Sequence, residues 1–269
     1  VATYSKDEGK IKLFVDGYPA GSTDVSGDFG FPDEDAQWLA IGADASSDKS
    51  YGQAPFDGQV MAARMYSKPV SRDEVYLMYK SFADRYSVIG EDTTTASAAP
   101  VADLFDVEFG ENGAVADKSA QGIAITTGNT TPQTYYNETY KRWVAKFSGS
   151  DYQEYYAVPY ADNMPITSAM EADFTLEVFA MLNDAEKDQC IVSSQQLGGF
   201  GIEPDKTINV WGRYGNEYAN LYSDVTVEKG KFYHIVAVAD AGESEMRVYV
   251  NGRLAGKRSI TGMFSFPQG

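Results

Sequence analysis

The stretch KIKLFVDGYPAG at residues 10–21 occurs a second time, in altered form, as EMRVYVNGRLAG at residues 245–256. The match extends without a gap from residues 1–34 to residues 236–269, an offset of 235 positions. A repeat sets the organisation of a chain before any single motif is interpreted. We therefore expect the back part of one unit, a linker, and the front part of a second unit.

Both copies of the repeat carry the pattern of a β-hairpin. Apolar and polar residues alternate over residues 11–15 and over the aligned residues of the second copy, which is the period of a half-buried strand. Asp16-Gly17 and Asn251-Gly252 then supply the positive φ angles that a two-residue hairpin turn requires. The sequence predicts equivalent hairpins at residues 10–22 and 245–257.

Short apolar runs separated by turn residues continue along the rest of the chain. The 25 glycines and 19 tyrosines also favour strands and tight turns over helices. Together these features predict a β-sandwich. The predicted strands are residues 38–42, 59–66, 104–109, 143–147, 174–181, 191–194, 208–211 and 231–239.

One segment departs from the strand pattern. Ser71 and Glu74 have the spacing of a capping box, which marks the start of a helix. We expect a short helix near residues 71–83, with Val75 and Met78 on its apolar face.

Charge and cysteine content exclude several functions. The formal net charge is −17, so nucleic acid, which binds clustered Lys and Arg, is not an expected partner. No stretch approaches the roughly 20 apolar residues of a membrane span. The single cysteine, Cys190, permits no intrachain disulfide and is most simply a buried strand residue.

Several segments resemble motifs of laminin-G-like domains, which have the concanavalin A-like fold. Four segments resemble the opening motifs of such a domain: Asp117-Lys118-Ser119-Ala120, Asp173–Val178, Lys229–Val238 and Tyr249–Gly252. The closing motifs resemble Ile41–Asp44, Phe56–Gly58 and Val70–Tyr79. The resemblance implies an all-β, antiparallel jelly-roll β-sandwich.

The order of these motifs predicts the domain organisation. Residues 1–86 resemble only the closing part of a unit and residues 101–269 only the opening part, and the small, polar residues 87–100 form the predicted linker. Either part alone would leave a large apolar face in water. Two arrangements avoid this exposure. In the first, the chain is an excerpt of a tandem array, and strands of another chain complete each part. In the second, the two parts close into one permuted sandwich. We favour the excerpt and keep the second arrangement open.

Three carboxylates raise the question of catalysis. Glu171, Asp173 and Glu177 share strand parity, and glycoside hydrolases of the concanavalin A-like fold use similarly spaced carboxylates as nucleophile and acid. In this chain the third carboxylate, Glu177, lies one or two positions further along the strand than it does in those hydrolases. An ordinary strand with one solvated face is the simpler interpretation. His234 is the only histidine, so a multi-histidine metal site is excluded and a packing role is expected.

Aromatic clusters suggest where a ligand binds. Sugar rings stack on exposed aromatic side chains, while amides and carboxylates bind the hydroxyl groups. One cluster comprises Tyr135, Tyr136, Tyr140 and Trp143, and a second comprises Tyr152, Tyr155, Tyr156 and Tyr160. The third, rich in amides, is the preferred ligand site and comprises Trp211, Tyr214, Tyr218, Tyr222 and Asn216.

Calcium is a candidate cofactor, because the resemblance implies sites of loop carboxylates and backbone carbonyls. Asp117, or Asp44 with Asp48, could supply such a carboxylate. For Asp117, a turn that uses its own backbone is the stronger interpretation.

The resemblance implies a non-catalytic carbohydrate-binding or adhesion module that is secreted or at the cell surface. Its expected partners are a glycan or an extracellular protein, with self-association by strand complementation as a further possibility. One alternative is a structural or protein-interaction repeat of a surface assembly. Another is a glycoside hydrolase.

Overall fold

The structure is a computed structural model of the chain. It describes residues 2–5, 10–15, 18–24, 37–45, 52–68, 70–71, 73–75, 77–78, 98–160, 173–184, 188–194, 198–214, 217–240, 243 and 245–259. The strands of these residues, in chain order, are β1 (Ala2–Ser5), β2 (Lys10–Val15), β3 (Tyr18–Asp24), β4 (Gln37–Ile41), β5 (Asp44–Ala45), β6 (Gly52–Gln53), β7 (Gly58–Tyr66), β8 (Phe105–Phe109), β9 (Val115–Asp117), β10 (Thr126–Thr127), β11 (Gln133–Asn137), β12 (Arg142–Lys146), β13 (Tyr156–Tyr160), β14 (Asp173–Leu182), β15 (Gln189–Ser194), β16 (Gly198–Ile202), β17 (Thr207–Tyr214), β18 (Glu217–Thr226), β19 (Phe232–Asp240), β20 (Glu245–Val250) and β21 (Arg253–Ser259). A 3-10 helix spans Glu111–Gly113, and residues 73–75 and 77–78 are α-helical.

Two large sheets enclose one apolar core. The seven-stranded sheet has the order β10-β13-β4-β15-β16-β17-β18. The nine-stranded sheet has the order β11-β12-β7-β14-β19-β20-β21, with β8 also paired to β7 and β9 paired to β8. Phe200 of the first sheet and Val178 of the second belong to the same buried cluster. The predicted all-β, antiparallel jelly-roll sandwich is confirmed.

Strands from both sides of the predicted linker lie in the same sheets. β4 pairs with β13 on one side and β15 on the other. β7 pairs with β14 along most of its length. These are the pairings that closure of the two segments into one sandwich would give. The boundaries at residues 87–100 stay a prediction.

The sequence repeat is also a structural repeat. β1, β2 and β3 form a separate three-stranded sheet, and β19, β20 and β21 form the end of the nine-stranded sheet. The second hairpin has φ angles of 50° at Asn251 and 77° at Gly252, which confirms its predicted turn. Asp16 and Gly17 lie outside the described residues.

The nine-stranded sheet is buried on both faces around β14. Phe174, Leu176 and Val178 face the core between the sheets, as their alternation predicts. Glu177, on the opposite face, is nevertheless 1% exposed. The interpretation of β14 as a strand with one solvated face is therefore wrong, because a further layer covers this face.

That covering layer includes the predicted helix. Ser71 N donates a 2.7 Å hydrogen bond to Glu74 Oε2, and Glu74 N donates a 3.2 Å bond to Ser71 Oγ, which is the predicted capping box. Val75 and Met78 are buried against Tyr66 on the outer face of the nine-stranded sheet. The predicted helix beyond residue 78 lies outside the described residues.

Candidate functional site

The predicted ligand site maps to the seven-stranded sheet at β17 and β18. Trp211 pairs with Asn220 and Asn209 pairs with Tyr222, and directly opposed residues share one face of a sheet. Trp211 is half-buried and Tyr222 is 54% exposed. We call these four residues the Trp211 surface. Partial exposure keeps Trp211 a candidate stacking residue.

The two amide side chains of the Trp211 surface, Asn209 and Asn220, form hydrogen bonds within the protein. Asn209 Nδ2 donates to Glu203 Oε1 at 2.6 Å and to Asn220 Oδ1 at 3.3 Å. Asn209 Oδ1 is buried and has no hydrogen-bond partner among the described residues. Because this oxygen is enclosed by the protein, the groups of the Trp211 surface that a ligand can contact are the rings of Trp211 and Tyr222.

The structure gives only backbone positions, or none, for the other three residues predicted for this site. Tyr218 has the register parity of Trp211, whereas Tyr214 has the opposite parity. The side chains of Tyr214 and Tyr218, and the whole of Asn216, lie outside the described residues. Their assignment to the ligand site stays a prediction.

A cleft opens elsewhere, where the nine-stranded sheet forks. β7 pairs with β12 through Gln59 and Val60, and with β8 through residues 63–65. Residues 61–62 lie between the two partners, so β8 and β12 diverge there. The resulting opening, which we call the fork cleft, has a volume of about 180 Å³. It is lined by Met61, Glu108, Phe109, Tyr136, Lys141, Arg142 and Trp143.

Two aromatic rings form one wall of the fork cleft. Tyr136 and Trp143 are cross-strand neighbours on β11 and β12. Their ring centroids are 5.8 Å apart at an interplanar angle of 70°, an edge-to-face contact. Trp143 packs against the core while Tyr136 is 42% exposed, so the wall is anchored on one side and open on the other.

Charged side chains line the rest of the fork cleft. Glu108 and Lys141 are exposed and Arg142 is half-buried. Lys141 lies in the turn between β11 and β12 with a φ of 52°, and its Nζ is 2.7 Å from Glu138 Oε2. Asn137 Oδ1 accepts hydrogen bonds from the backbone of the same turn, which fixes its shape. The cleft thus offers donors and an acceptor beside an apolar wall.

The remaining tyrosines of the first two clusters divide between packing and solvent. Tyr140 packs edge-to-face on Phe179 and Phe232 in the covering layer. Tyr155 and Tyr156 are buried, whereas Tyr152 is 53% exposed. The sequence identified the cluster that supplies Tyr136 and Trp143, but it did not rank that cluster first.

The carboxylate considered for catalysis is part of a buried polar network. Glu177 Oε2 accepts from Tyr66 OH at 2.5 Å and from Arg64 Nη1 at 3.4 Å. Glu177 Oε1 lies 2.8 Å from His234 Nε2. Arg64 Nε also donates to Asp106 Oδ1 at 2.9 Å. The sequence did not predict this network, whose members are far apart along the chain.

The network keeps Glu177 ionised. Burial alone would raise its pKa, but the hydrogen bond from His234, the charge of Arg64 and the bond from Tyr66 together lower the pKa to about 2. A buried carboxylate that is ionised at neutral pH can neither reach a substrate nor donate a proton there. Asp173 is half-buried on the same strand, and Glu171 lies outside the described residues.

His234 and Cys190 fit the packing roles predicted for them. His234 is 0% exposed, and its Nε2 carries the proton because an ionised carboxylate only accepts hydrogen bonds. Cys190 is a buried residue of β15.

Asp117 acts as a turn residue. Its Oδ1 accepts from the backbone N–H groups of Asp106 and Ser119, and its Oδ2 accepts from Ile123 N and Ser119 Oγ. No group of three or more His, Cys, Asp or Glu side chains in the described part of the chain could hold a metal ion. The side chain of Asp44 and the whole of Asp48 lie outside it, so calcium binding stays a prediction.

Comparison with known families assigns the fold. Residues 1–76 and 149–269 match the family Laminin_G_3, described as the concanavalin A-like lectin/glucanases superfamily. Because the match covers most of the chain, the chain belongs to this superfamily. The resemblance inferred from the sequence motifs is confirmed. Residues 77–148, which supply all of the fork-cleft lining except Met61, lie outside the match.

Among solved structures, the chain is similar to the crystal structure of a protein from Bacteroides ovatus ATCC 8483 that is assumed to bind carbohydrate. The two share 8% sequence identity over 89% of this chain and 71% of that chain, with a TM-score of 0.27. No curated protein matches the chain. No helix among the described residues is long and apolar enough to cross a membrane.

Proposed function

We propose that this chain is a non-catalytic carbohydrate-binding module and that the glycan binds in the fork cleft. The observation that carries the proposal is the Tyr136–Trp143 wall beside Glu108, Lys141 and Arg142. A sugar ring has an apolar face and a polar rim. This cleft presents the matching combination of an aromatic surface and hydrogen-bonding side chains.

The wall is held in place before any ligand arrives. The rings lie opposite each other on two paired strands, and Trp143 is fixed by the core. Little side-chain freedom is then lost on binding, which favours affinity.

Two observations favour binding over hydrolysis. Glycoside hydrolases of the common type need two carboxyl groups on either side of the scissile bond. Glu108 is the one carboxylate among the residues that line the cleft. Glu177 is enclosed by Tyr66, Arg64 and His234 and is not accessible.

The Trp211 surface is proposed as a second contact surface for the same class of ligand. Its support is the exposed ring of Tyr222 on the same sheet face as the half-buried ring of Trp211. We further propose that the module acts outside the cell, as secreted or surface-attached carbohydrate-binding proteins do.

A glycan array probed with the whole chain tests the function. Once a glycan is found, isothermal titration calorimetry on Tyr136→Ala tests the site. We expect this variant to bind at least about tenfold more weakly, because a central aromatic contact is lost. Tyr152→Ala removes a tyrosine elsewhere that is 53% exposed, and this variant should bind like the unmodified chain.

Trp211→Ala separates the two surfaces. If Trp211→Ala abolishes binding while Tyr136→Ala leaves it unchanged, the fork cleft is not the site and the Trp211 surface is. If no glycan on the array binds, the proposed function itself is wrong.

A further inference from the structure

The chain contains two copies of a three-stranded unit, but the nine-stranded sheet has one position beside β14 that such a unit can occupy. β19–β21 fills that place beside β14, and β1–β3 forms a sheet of its own. The backbones agree in detail. Both copies have a shift in register at the same point of the hairpin, after Leu13 in one and after Val248 in the other.

The strand pairing within the two copies is also the same. Ala2 pairs with Leu13, and 235 positions later Ala237 pairs with Val248. Ser5 pairs with Lys10, as Asp240 pairs with Glu245. The first copy therefore repeats the backbone arrangement of residues 237–240, β20 and β21, while residues 232–236 of β19 have no counterpart in it.

The first copy also has suitable residues for the core. Met246, Val248 and Val250 fill the core from β20 and are at most 3% exposed. The aligned residues of β2 are Ile11, Leu13 and Val15. Cores tolerate exchanges of apolar residues of similar volume, so these three are acceptable replacements.

The second copy has an electrostatic cost in its present place. Asp240 and Glu245, on the outer face of β19 and β20, are at most 1% exposed. Neither carboxylate oxygen of Glu245 has a hydrogen-bond partner among the described residues, and burial raises its pKa. Asp240 is ion-paired with Arg247, and the charges of Arg247 and Lys257 offset only part of the effect of burial on Glu245, so the unfavourable burial falls on Glu245. The first copy has Ser5 and Lys10 at these two positions.

The first copy is already close to this place. The backbone of β1 comes within 8 Å of β19 and β20. Residues 25–36 join β3 to β4, which is a strand of the sandwich, and a chain of that length can span about 40 Å. Such a tether gives the unit a high effective concentration at its own sandwich.

We propose that the place beside β14 is a docking surface that accepts β1–β3 of the same chain as an alternative to residues 237–240, β20 and β21, while residues 232–236 of β19, which include His234, stay paired with β14. β1 then pairs with β14 in the register that β19 has now, which brings Ser5 opposite Asp173. Tyr4 takes the position of Ala239, which is 4% exposed. The larger ring disfavours the exchange as long as β19–β21 is intact.

Thermal melts of four forms of the whole chain test the exchange. Val248→Asp places a charge in the core position of the second copy, and Leu13→Asp makes the matched change in the first. We expect Leu13→Asp to melt within about 3 °C of the unmodified chain, since β19–β21 still fills the place. Val248→Asp should still melt cooperatively because β1–β3 replaces the damaged unit. The double variant should show no cooperative melt.

A disulfide locates the exchanged unit. Ser5→Cys and Asp173→Cys are introduced together with Val248→Asp and Cys190→Ala, and the oxidised protein is digested and mapped by mass spectrometry. We expect a disulfide between positions 5 and 173 within one chain, because cross-strand neighbours have the required geometry. The same cysteine pair without Val248→Asp should form the bond to a much smaller extent.

Three results would overturn the inference. Loss of the cooperative melt in Val248→Asp to the same degree as in the double variant would show that β1–β3 cannot replace residues 237–240, β20 and β21. Absence of the disulfide would show that the unit does not reach β14. A disulfide that joins two chains, seen as a covalent dimer, would assign the docking surface to a second copy instead.

Discussion

At the scale of single residues, the ionised Glu177 lies on the outer face of the nine-stranded sheet, beneath the covering layer. Its carboxylate is bound by Tyr66, Arg64 and His234, which come from two neighbouring strands, β7 and β19. A buried charge without such partners would destabilise the fold. The network therefore makes the stability of the sandwich depend on pH.

The pKa of Glu177 gives the direction of this dependence. Its folded-state pKa is about 2, below the ordinary value of 4.5 that applies to the unfolded chain. A lowered pKa stabilises the folded state above about pH 4.5, and this stabilisation is lost as the pH falls from 4.5 to 2. A shift of this size corresponds to about 3 kcal/mol.

Glu177→Gln tests this dependence by denaturant unfolding between pH 7 and pH 2. We expect the variant to be less stable by about 3 kcal/mol at pH 7, because Arg64 loses its counter-charge and the hydrogen bonds of His234 and Tyr66 lose a charged acceptor. The difference from the unmodified chain should shrink as the pH falls below 4.5. Glu228→Gln, which changes an exposed carboxylate, is the control. A difference that stays constant down to pH 2 would contradict the assignment.

The sequence could predict only part of this network. The alternation of β14 placed Glu177 opposite Leu176 and Val178, and that parity is confirmed. The partners of Glu177 lie 57 to 113 residues away along the chain. Because no local pattern shows which strands become neighbours of β14, neither the network nor its burial was predictable.

At the scale of elements, the hairpin of β20 and β21 shows how strongly two turn residues set a local structure. Asn251 and Gly252 both have positive φ, which L-residues other than Asn and Asp rarely adopt. Val250 and Arg253 pair directly across this turn. The identical shift in register in both copies indicates that the hairpin conformation is encoded locally.

Gly252→Val tests the role of this turn. A β-branched side chain at a φ of 77° is strained, so we expect a loss of roughly 1 kcal/mol or more in the free energy of unfolding. Asn251→Gly keeps the freedom to adopt positive φ and should change stability much less. Equal effects of the two substitutions, measured by urea unfolding, would show that the φ requirement is not the cause.

Other elements show where sequence patterns fail. The sequence GGFGI of β16 was not predicted as a strand, because glycine disfavours strands. A Cβ atom at Gly199 would lie 2.3 Å from Val192 O, and one at Gly201 would lie 2.1 Å from Gln189 O. The glycines are thus required by the close approach of β15. The fork cleft was equally hidden, since it depends on which strands flank β7.

At the scale of the whole molecule, the two central strands β4 and β7 come from the first 66 residues, and most of their partners come from beyond residue 104. β7 is buried on both faces, with Val60 and Ala63 in the sandwich core and Tyr66 in the covering layer. Each large sheet is interrupted if these two strands are removed.

The last prediction follows from this interdependence and concerns fragments. Residues 1–86 alone, and residues 101–269 alone, should each be unfolded or aggregated, because each fragment exposes the apolar residues that the other buries. Mixing the two fragments in equal amounts should restore the circular dichroism spectrum of β-strands and a cooperative melt, because β4 and β7 then pair with the strands of residues 101–269.

The matched control is a 1–86 fragment carrying Ala63→Asp. This substitution places a charge in the core, so the mixture with residues 101–269 should not fold. A sharp, cooperative melt of residues 1–86 as a monomer would show instead that this segment has a core of its own, and that its pairing with residues 101–269 is not what stabilises it.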